Sequence, residues 1–580
     1  MAQFADGTTG HEKSSFRPRT LGIDRSTLIQ YALYAFTIVL VLGPISPIIY
    51  QSFVDRPLYD TGQQYTLDNY VRLLSSPVFL EAIWNTLVFA LLSTLIGTSI
   101  GVIAAILIGR TNMPGRRFLS GLLLWPIFIS HLVMAFGWFI VYGPAGYITL
   151  MIKSVLGVEP WNLYSLGGMS LIAGVSIAPL TFLYCSASTA LSEATLEDAA
   201  RTCGSGPFRT LWAVTLPLLL PAIFYSIILN FTGALEMLAI PLVFGEPAGI
   251  NLFATLLYTQ GFAAARPDYG MVSTAALFLI IVIFLLLTLQ RQMLRNSRRF
   301  VTVGGKASRP RTMELGLFRW PAFLLLFAYA VIFIGVPLGI LFLRASVSVL
   351  SPLAPFWHYF TSRHIVAAFS YESNIRAIVN TLIIAGLGAA IGTFFVAMIT
   401  VVVHRSNFRF HRSLEYVALL PRAIPGLVAS MGFFYAMVII PPMGWLRSTI
   451  WILMLAYIMR FIPLAFGALA PSLMQIGKEL DNSARVIGAD WWRTTRTIVL
   501  PLMKPAMFSS FALIFVFCLK EYTTAVFLFT PGNEVLGASL LLYWANGNMG
   551  MVATLSAVQI ILTMFFIYGA RSLFGVKFGG

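Results

Sequence analysis

At 580 residues, with 58% hydrophobic side chains, 10% charged side chains and a mean hydropathy of +0.83, the chain excludes a soluble globular protein. A net charge of +16 would suggest a nucleic-acid partner in a soluble protein. In a chain built of bilayer-length apolar runs it instead reflects Lys and Arg retained on one face of the membrane, and no nucleic acid is expected. Cys185, Cys203 and Cys518 fall in or beside apolar runs without ligand spacing, so neither a disulfide framework nor a metal site is expected.

In chain order, residues 1–27 form a polar, basic tail with no cleavage-type signal, so the first apolar run reads as a retained anchor. Six spans follow at 28–50, 83–109, 118–142, 168–190, 218–245 and 271–290, each long enough to cross a bilayer as a helix. A basic segment at 291–317 carries Arg291, Arg295, Arg298, Arg299, Lys306, Arg309 and Arg311, and reads as a solvated linker drawn to anionic headgroups. Six more spans come at 318–343, 376–403, 413–440, 449–472, 502–530 and 551–570. The expected fold is all-α: an integral membrane protein of about twelve transmembrane helices in two domains, 28–290 and 318–580. Pro44, Pro126, Pro179, Pro421, Pro425 and Pro463 lie inside runs and predict kinks. With the N-terminus in the cytoplasm, 27 of the 38 basic residues fall on the cytoplasmic face, which puts both termini there.

The two domains repeat one another. Asn85-Thr86-Leu87 recurs as Asn380-Thr381-Leu382, Arg110 as Arg405, Pro126 as Pro421 and Gly137 as Gly432, all 295 residues apart. Further on the offset is 284, which requires about eleven extra residues in the first half and points to 143–167. Six spans per half preserve orientation, so the pseudo-two-fold axis should lie along the membrane normal with a pathway between the halves.

At the 284 offset a polar segment occurs twice. Glu197-Asp198-Ala199-Ala200-Arg201-Thr202-Cys203-Gly204 leads to Leu216-Pro217, and Asp481-Asn482-Ser483-Ala484-Arg485-Val486-Ile487-Gly488 leads to Leu500-Pro501. Each copy reads as a short helix with an acid and an arginine four residues apart on one face, Glu197 with Arg201 and Asp481 with Arg485. Small residues after the acid (Ala199, Ala200; Ser483, Ala484) leave room for a partner's surface. Gly204 and Gly488 can turn the chain at positive φ. The Leu-Pro pairs suit the first turn of the next span. Two matched copies on the cytoplasmic side predict a docking surface.

Asp198-Ala199-Ala200 to Gly204, with Val214-x-Leu216-Pro217 beyond it, resembles the Glu-Ala-Ala signature of permease subunits of bacterial binding-protein-dependent ABC importers. The second copy departs from it, with Asn482 and Ser483 in the first two positions. The resemblance extends over nearly the whole chain as two fused permease units with a MetI-like transmembrane domain. It is strongest to the iron(III)-importer permeases. It implies that each polar segment is a coupling helix seated in a cytoplasmic ABC ATPase subunit. Two copies of that ATPase would carry the ATP and Mg, an extracytoplasmic binding protein would deliver the solute, and the permease itself would sit in the inner membrane with no cofactor of its own. Thiamine, polyamine and phosphonate remain alternative cargoes. A secondary transporter driven by an ion gradient, or a non-transporting scaffold, are the alternatives from other classes.

Charges inside spans are costly in lipid and mark candidate pathway residues. Glu236, Lys520 and Glu521 are the leading ones, with Arg422 and Arg460 read as ion-pairing groups and His131 and Asn230 as weaker polar members. Glu236 and Lys520 correspond at the 284 offset, so both are expected to face the central axis. No Gly-x-x-x-x-Gly-Lys-[Ser/Thr] is present; Gly304-Gly305-Lys306-Ala307-Ser308 lacks the spacing. Neither a paired-carboxylate catalytic site nor a Ser/His/Asp set is visible. The chain is therefore read as a transport subunit that depends on another chain for ATP hydrolysis.

Overall fold

A computed structural model describes residues 25–191, 197, 199–200, 202–296, 313–439 and 441–574. Among these, helices form the whole framework and extended pairing is limited to three isolated bridges. Among the described residues eleven helices are long and apolar enough to cross a membrane, or twelve when one pair bent at 111° is counted as a single span. The molecule is thus a multi-pass, all-α membrane protein made of two tandem six-span repeats.

Helix starts follow local chemistry. Ser76 caps the long helix Pro77–Arg110 by accepting from the Phe79 amide at 3.4 Å, with proline in the first turn where no amide is needed. Gly97 and Gly101, one turn apart, let this helix lie directly against Leu166–Leu191; a Cβ at either would collide with the carbonyl of Gly174 or of Ala178. That is close approach through small residues, the usual basis of helix pairing in lipid. In the second half Gly388 and Gly392 face Met454 and Ile458 on the corresponding helix, Ile450–Gln475.

The structure corrects two expectations about helix continuity. The run 118–142 is not one helix. Arg116–Leu124 gives way to a tight turn at Trp125–Phe128, and His131–Tyr142 starts afresh with Ser130 as its cap. Its counterpart is broken the same way, and the helical stretches His411–Ala423 and Gly426–Ile439 meet at 111°. Pro126 and Pro421 open the two tight turns and Pro425 lies at the second break, whereas Pro179 and Pro463 sit inside unbroken helices. The runs 218–245 and 502–530 also stop short: Leu216–Leu235 and Leu500–Lys520 end at mid-run, with Glu236 and Glu521 as C-caps. The extra residues of the first half include the helix Tyr147–Leu156, tied down by Trp161, whose indole donates to the Tyr142 carbonyl at 2.8 Å.

The repeated Asn-Thr pair has the same task in both halves. Asn85 donates to the Asn251 carbonyl (3.2 Å) and Thr86 accepts from the Phe253 amide (2.8 Å). Asn380 donates to the Glu534 carbonyl (2.9 Å) and Thr381 accepts from the Leu536 amide (2.9 Å). Each pair holds a loop that enters the bundle without its own helical bonds.

The halves exchange contacts through glycines. Gly137 lies on the backbone of Pro337, and Gly432 on the backbone of Pro44, so the first span of each half packs on the other half. Reciprocal contacts of this kind are what a pseudo-two-fold axis between repeats produces. Replacing Gly137 or Gly432 with Val should push the opposing proline backbone away at a cost of about 1–3 kcal/mol. Thermal unfolding of the purified chain in detergent should show both variants less stable, with the double variant worse than either. An unchanged midpoint in both would mean the interface is looser than the structure shows.

Candidate functional site

Two assemblies stand out: the repeated polar element and a cavity between the halves. In the second half the polar element is the helix Glu479–Val486, closed by bonds from the Gly488 amide to the Arg485 carbonyl and from the Ala489 amide to the Ala484 carbonyl, both 3.0 Å. The first-half counterpart of the latter runs from the Ser205 amide to the Ala200 carbonyl at 3.0 Å. Gly204 and Gly488 have φ of 83° and 84° with open space around the Cβ position, so conformation and not crowding requires glycine there. Beyond each turn a wide five-residue π turn, Leu211–Thr215 or Thr495–Val499, leads into Leu216-Pro217 or Leu500-Pro501. Asp198 and Arg201 lie outside the described residues.

In the second copy the acid pairs outside its own helix, and not with the arginine that the four-residue spacing suggested. Asp481 is buried against Arg405 at 3.0 Å, and Arg405 also donates to the carbonyls of Leu473 (2.9 Å) and Ile476. Arg485 is exposed. In the first half Glu197 pairs with Arg110 at 3.5 Å and accepts from Thr215 Oγ1 at 2.8 Å. Arg110 and Arg405 end the second span of each half, so the repeat at offset 295 and the repeat at 284 meet in one buried ion pair. Sequence alone showed both positions repeating but not that they touch.

Burial also changes which small residue is open to a partner. Ala484 is only 4% exposed and packs inward, whereas Asn482 and Ser483 are exposed, as is Ala199 in the first copy. The tip of the second copy carries Val486 and Ile487, 86% and 85% exposed; Thr202 and Cys203 hold the same places in the first. Two adjacent solvent-facing aliphatic side chains thus flank the constrained turn of the second copy.

The second assembly is a cavity of about 340 Å³ lined by both halves. It brings together Glu236, Lys520 and Glu521, and adds Arg460, His131 and Asn230. Arg460 bridges the two acids, with Nη2 3.4 Å from Glu236 and Nε 3.4 Å from Glu521. Lys520 donates to the Ile127 carbonyl and lies 4.3 Å from the Phe517 ring centroid. Arg422 is exposed and is not among the lining residues. Glu236 and Lys520 lie at the same count from the starts of Leu216–Leu235 and Leu500–Lys520, and both line the cavity; because the second helix runs one residue further, its C-cap is Glu521 where the first has Glu236. Glu521 is therefore not a step further around a helix but the extended residue that follows it. Among the described residues no group of three or more His, Cys, Asp or Glu could hold a metal ion.

The sequence profile of the family described as "Binding-protein-dependent transport system inner membrane component" matches residues 97–299 and 383–573. The "Ferric transport system permease protein FbpB" of Actinobacillus pleuropneumoniae is 26% identical over 520 residues, 88% of this chain and 73% of the relative. The "Putative ferric transport system permease protein FbpB 1" of Haemophilus influenzae is 27% identical over 488 residues, 82% and 74%. A solved bacterial alginate ABC transporter, in complex with an alginate pentasaccharide-bound periplasmic protein, is 19% identical with a TM-score of 0.37, covering 46% of this chain and 96% of that chain.

The buried Arg405–Asp481 pair yields a test. Removing one partner of such a pair costs about 3–5 kcal/mol, while replacing both with apolar groups is often close to neutral. Arg405→Met should therefore lower thermal stability sharply, and adding Asp481→Leu should recover the share due to the unpaired carboxylate but not the share due to the uncapped Leu473 and Ile476 carbonyls, read as a double-mutant cycle in detergent. Additive losses would show that the two groups are not coupled.

Proposed function

The chain belongs to the family of binding-protein-dependent transport system inner membrane components, and from that premise we propose that this importer permease carries iron(III). It is the fused transmembrane subunit of an ABC importer, with both membrane domains in one polypeptide. The observation that carries the coupling role is the polar helix–glycine element, present twice and fixed each time to the second span by a buried Arg–carboxylate pair. Each copy docks one cytoplasmic ATPase subunit, which holds ATP and Mg and performs the hydrolysis. When the two ATPases close, the docked elements move together. Because Asp481 is held to Arg405, the end of the helix that terminates at Arg405 moves with it. The span arrangement around the cavity then changes, shifting the population between inward and outward openings.

Iron(III) is favoured over thiamine, polyamine or phosphonate by the two relatives named for ferric transport and by the donors in the cavity. Glu236, Glu521 and Asn230 present hard oxygen atoms, which suit a hard cation. An external binding protein supplies the cargo and much of the selectivity. The decisive assay is ATP hydrolysis by the chain co-purified with its ATPase, stimulated by binding protein loaded with ferric iron. Stimulation by a loaded thiamine, polyamine or phosphonate binding protein and not by the ferric one would reassign the cargo.

Two predictions follow from the docking surface. Gly204→Val and Gly488→Val place a β-branched side chain at positive φ, at a cost of about 1–2 kcal/mol confined to the turn. Ser483→Trp puts bulk on the exposed face. All three variants should insert normally yet lose most ATPase association and substrate-stimulated hydrolysis, and normal coupling in all three would remove the docking role.

The second concerns orientation, with both termini and the linker 291–317 assigned to the cytoplasm. Cys203 is exposed while Cys185 and Cys518 are buried, so the native chain carries its own reporter. An impermeant maleimide should label the ATPase-free permease in inverted vesicles and not in intact spheroplasts. The opposite pattern would invert the topology.

A further inference from the structure

One acceptor on the cavity wall, Asn230 Oδ1, has no donor, and the arrangement of charges is asymmetric. Glu521 Oε1 accepts from Thr523 Oγ1 (2.6 Å), the Thr524 amide (2.9 Å) and Thr524 Oγ1 (3.0 Å), which leaves Oε2 facing Arg460. Glu236 directs both carboxylate oxygens to Arg460 Nη2 at 3.4 Å. These contacts are longer than the roughly 2.7–2.9 Å of a tight charge-assisted bond, so one guanidinium is shared between two acids and clamped by neither. Asn230 donates through Nδ2 to Thr181 Oγ1 at 2.8 Å, which fixes its amide. Its Oδ1 is left buried without a hydrogen-bond partner in a residue 1% exposed on the cavity wall. Lys520 is engaged elsewhere, with the Ile127 carbonyl and the Phe517 ring.

We infer that Arg460 is a tethered counter-ion occupying a cation-passage site made of Glu236, Glu521 and Asn230, and that a cationic cargo crosses by displacing its guanidinium. This deepens the iron(III) reading and rests on it only for the identity of the cargo; the site itself takes any small hard cation. With Arg460 in place the charges of the two carboxylates are balanced by Arg460 and Lys520, so an entering cation meets a site of no net charge. When the halves shift, the long contacts to Glu236 of the first half are the ones that stretch, because Arg460 and Glu521 both belong to the second. The exposed carboxylates, completed by Asn230 Oδ1, then attract the cargo. Two carboxylates bind weakly, as a passage site must, since a cation that enters has also to leave.

The test uses the purified full chain in nanodiscs of zwitterionic lipid, without binding protein or ATPase, titrated with Tb³⁺ as a redox-inert hard trivalent cation and read by sensitised luminescence. Arg460→Gln should bind Tb³⁺ about tenfold or more tightly than the unmodified chain, because a neighbouring positive charge has been removed. Adding Glu236→Gln or Glu521→Gln should abolish the gain, and adding Asn230→Leu should reduce it. Equal affinity in Arg460→Gln and the unmodified chain overturns the inference, as does a gain that survives loss of both acids. Arg460→Met serves as a second variant. If neither assembles, Glu236→Gln and Glu521→Gln in the unmodified background must each remove the residual binding, and persistence of that binding is again fatal. Failure of the iron reading appears separately, as absence of stimulation by the ferric-loaded binding protein, with the Tb³⁺ results unchanged.

Discussion

Irregular backbone at membrane depth must find its hydrogen-bond partners inside the protein, and that constraint organises the centre of this molecule. Helices stop at Leu124, Leu235, Leu419 and Lys520, all in runs that would otherwise cross unbroken. Each break is repaired by a side chain from elsewhere. Lys520 caps the Ile127 carbonyl, and Arg460 reaches the Ile424 carbonyl at 3.3 Å. The Tyr522 hydroxyl accepts from the Ala239 amide at 2.9 Å, and Gln559 donates to the Leu519 carbonyl at 2.6 Å. The charged cavity is a consequence: three of the four capping side chains, Lys520, Arg460 and Tyr522, also line the space the breaks create.

The same logic extends to the membrane boundary. A surface ion pair contributes little, because water competes for both charges. Arg405 and Asp481 are buried, and Arg405 also caps the carbonyls that end the helix Ile450–Gln475. Three segments therefore converge on one guanidinium: the second span, the end of the fourth, and the polar helix. The polar helix is thereby fixed to the ends of two spans through one side chain. Leucines in that place would pack, but they would leave the freed carbonyls of Leu473 and Ile476 without donors.

How much of this was legible in the sequence depended on whether the signal was periodic or three-dimensional. The two six-span repeats were readable, because apolar run length and repeated pairs such as Asn85-Thr86 and Asn380-Thr381 are one-dimensional patterns. The breaks within 118–142 and 413–440 were not, since proline in an apolar run is compatible with both a kink and a full stop: Pro179 and Pro463 sit in intact helices, Pro126 and Pro421 do not. Glu236, Lys520 and Glu521 were recognised as unusual from their cost in lipid. Glu236 and Lys520 share the 284 offset and both line the cavity, but the second helix is one residue longer, so its C-cap is Glu521. The partnership of Arg110 with Glu197 and of Arg405 with Asp481 was hidden because two different repeat offsets had to be combined in space. A local four-residue spacing offered a simpler, incorrect partner for Asp481.

Fusion of two repeats into one chain permits an asymmetry that two identical subunits could not have. Around the cavity the first half contributes Glu236, His131 and Asn230, and the second contributes Arg460, Lys520 and Glu521. Both cations thus come from one side. In a symmetric dimer every charge would recur across the axis, and a second arginine would bring a like charge into the same low-dielectric cavity. With one arginine, its charge attracts acids from both halves and holds them together. The polar elements have diverged in step, with Val486 and Ile487 at one tip against Thr202 and Cys203 at the other. A single polypeptide fixes which half carries which role. The geometry of the cavity therefore requires the halves to differ, even though the fold that builds it requires them to match.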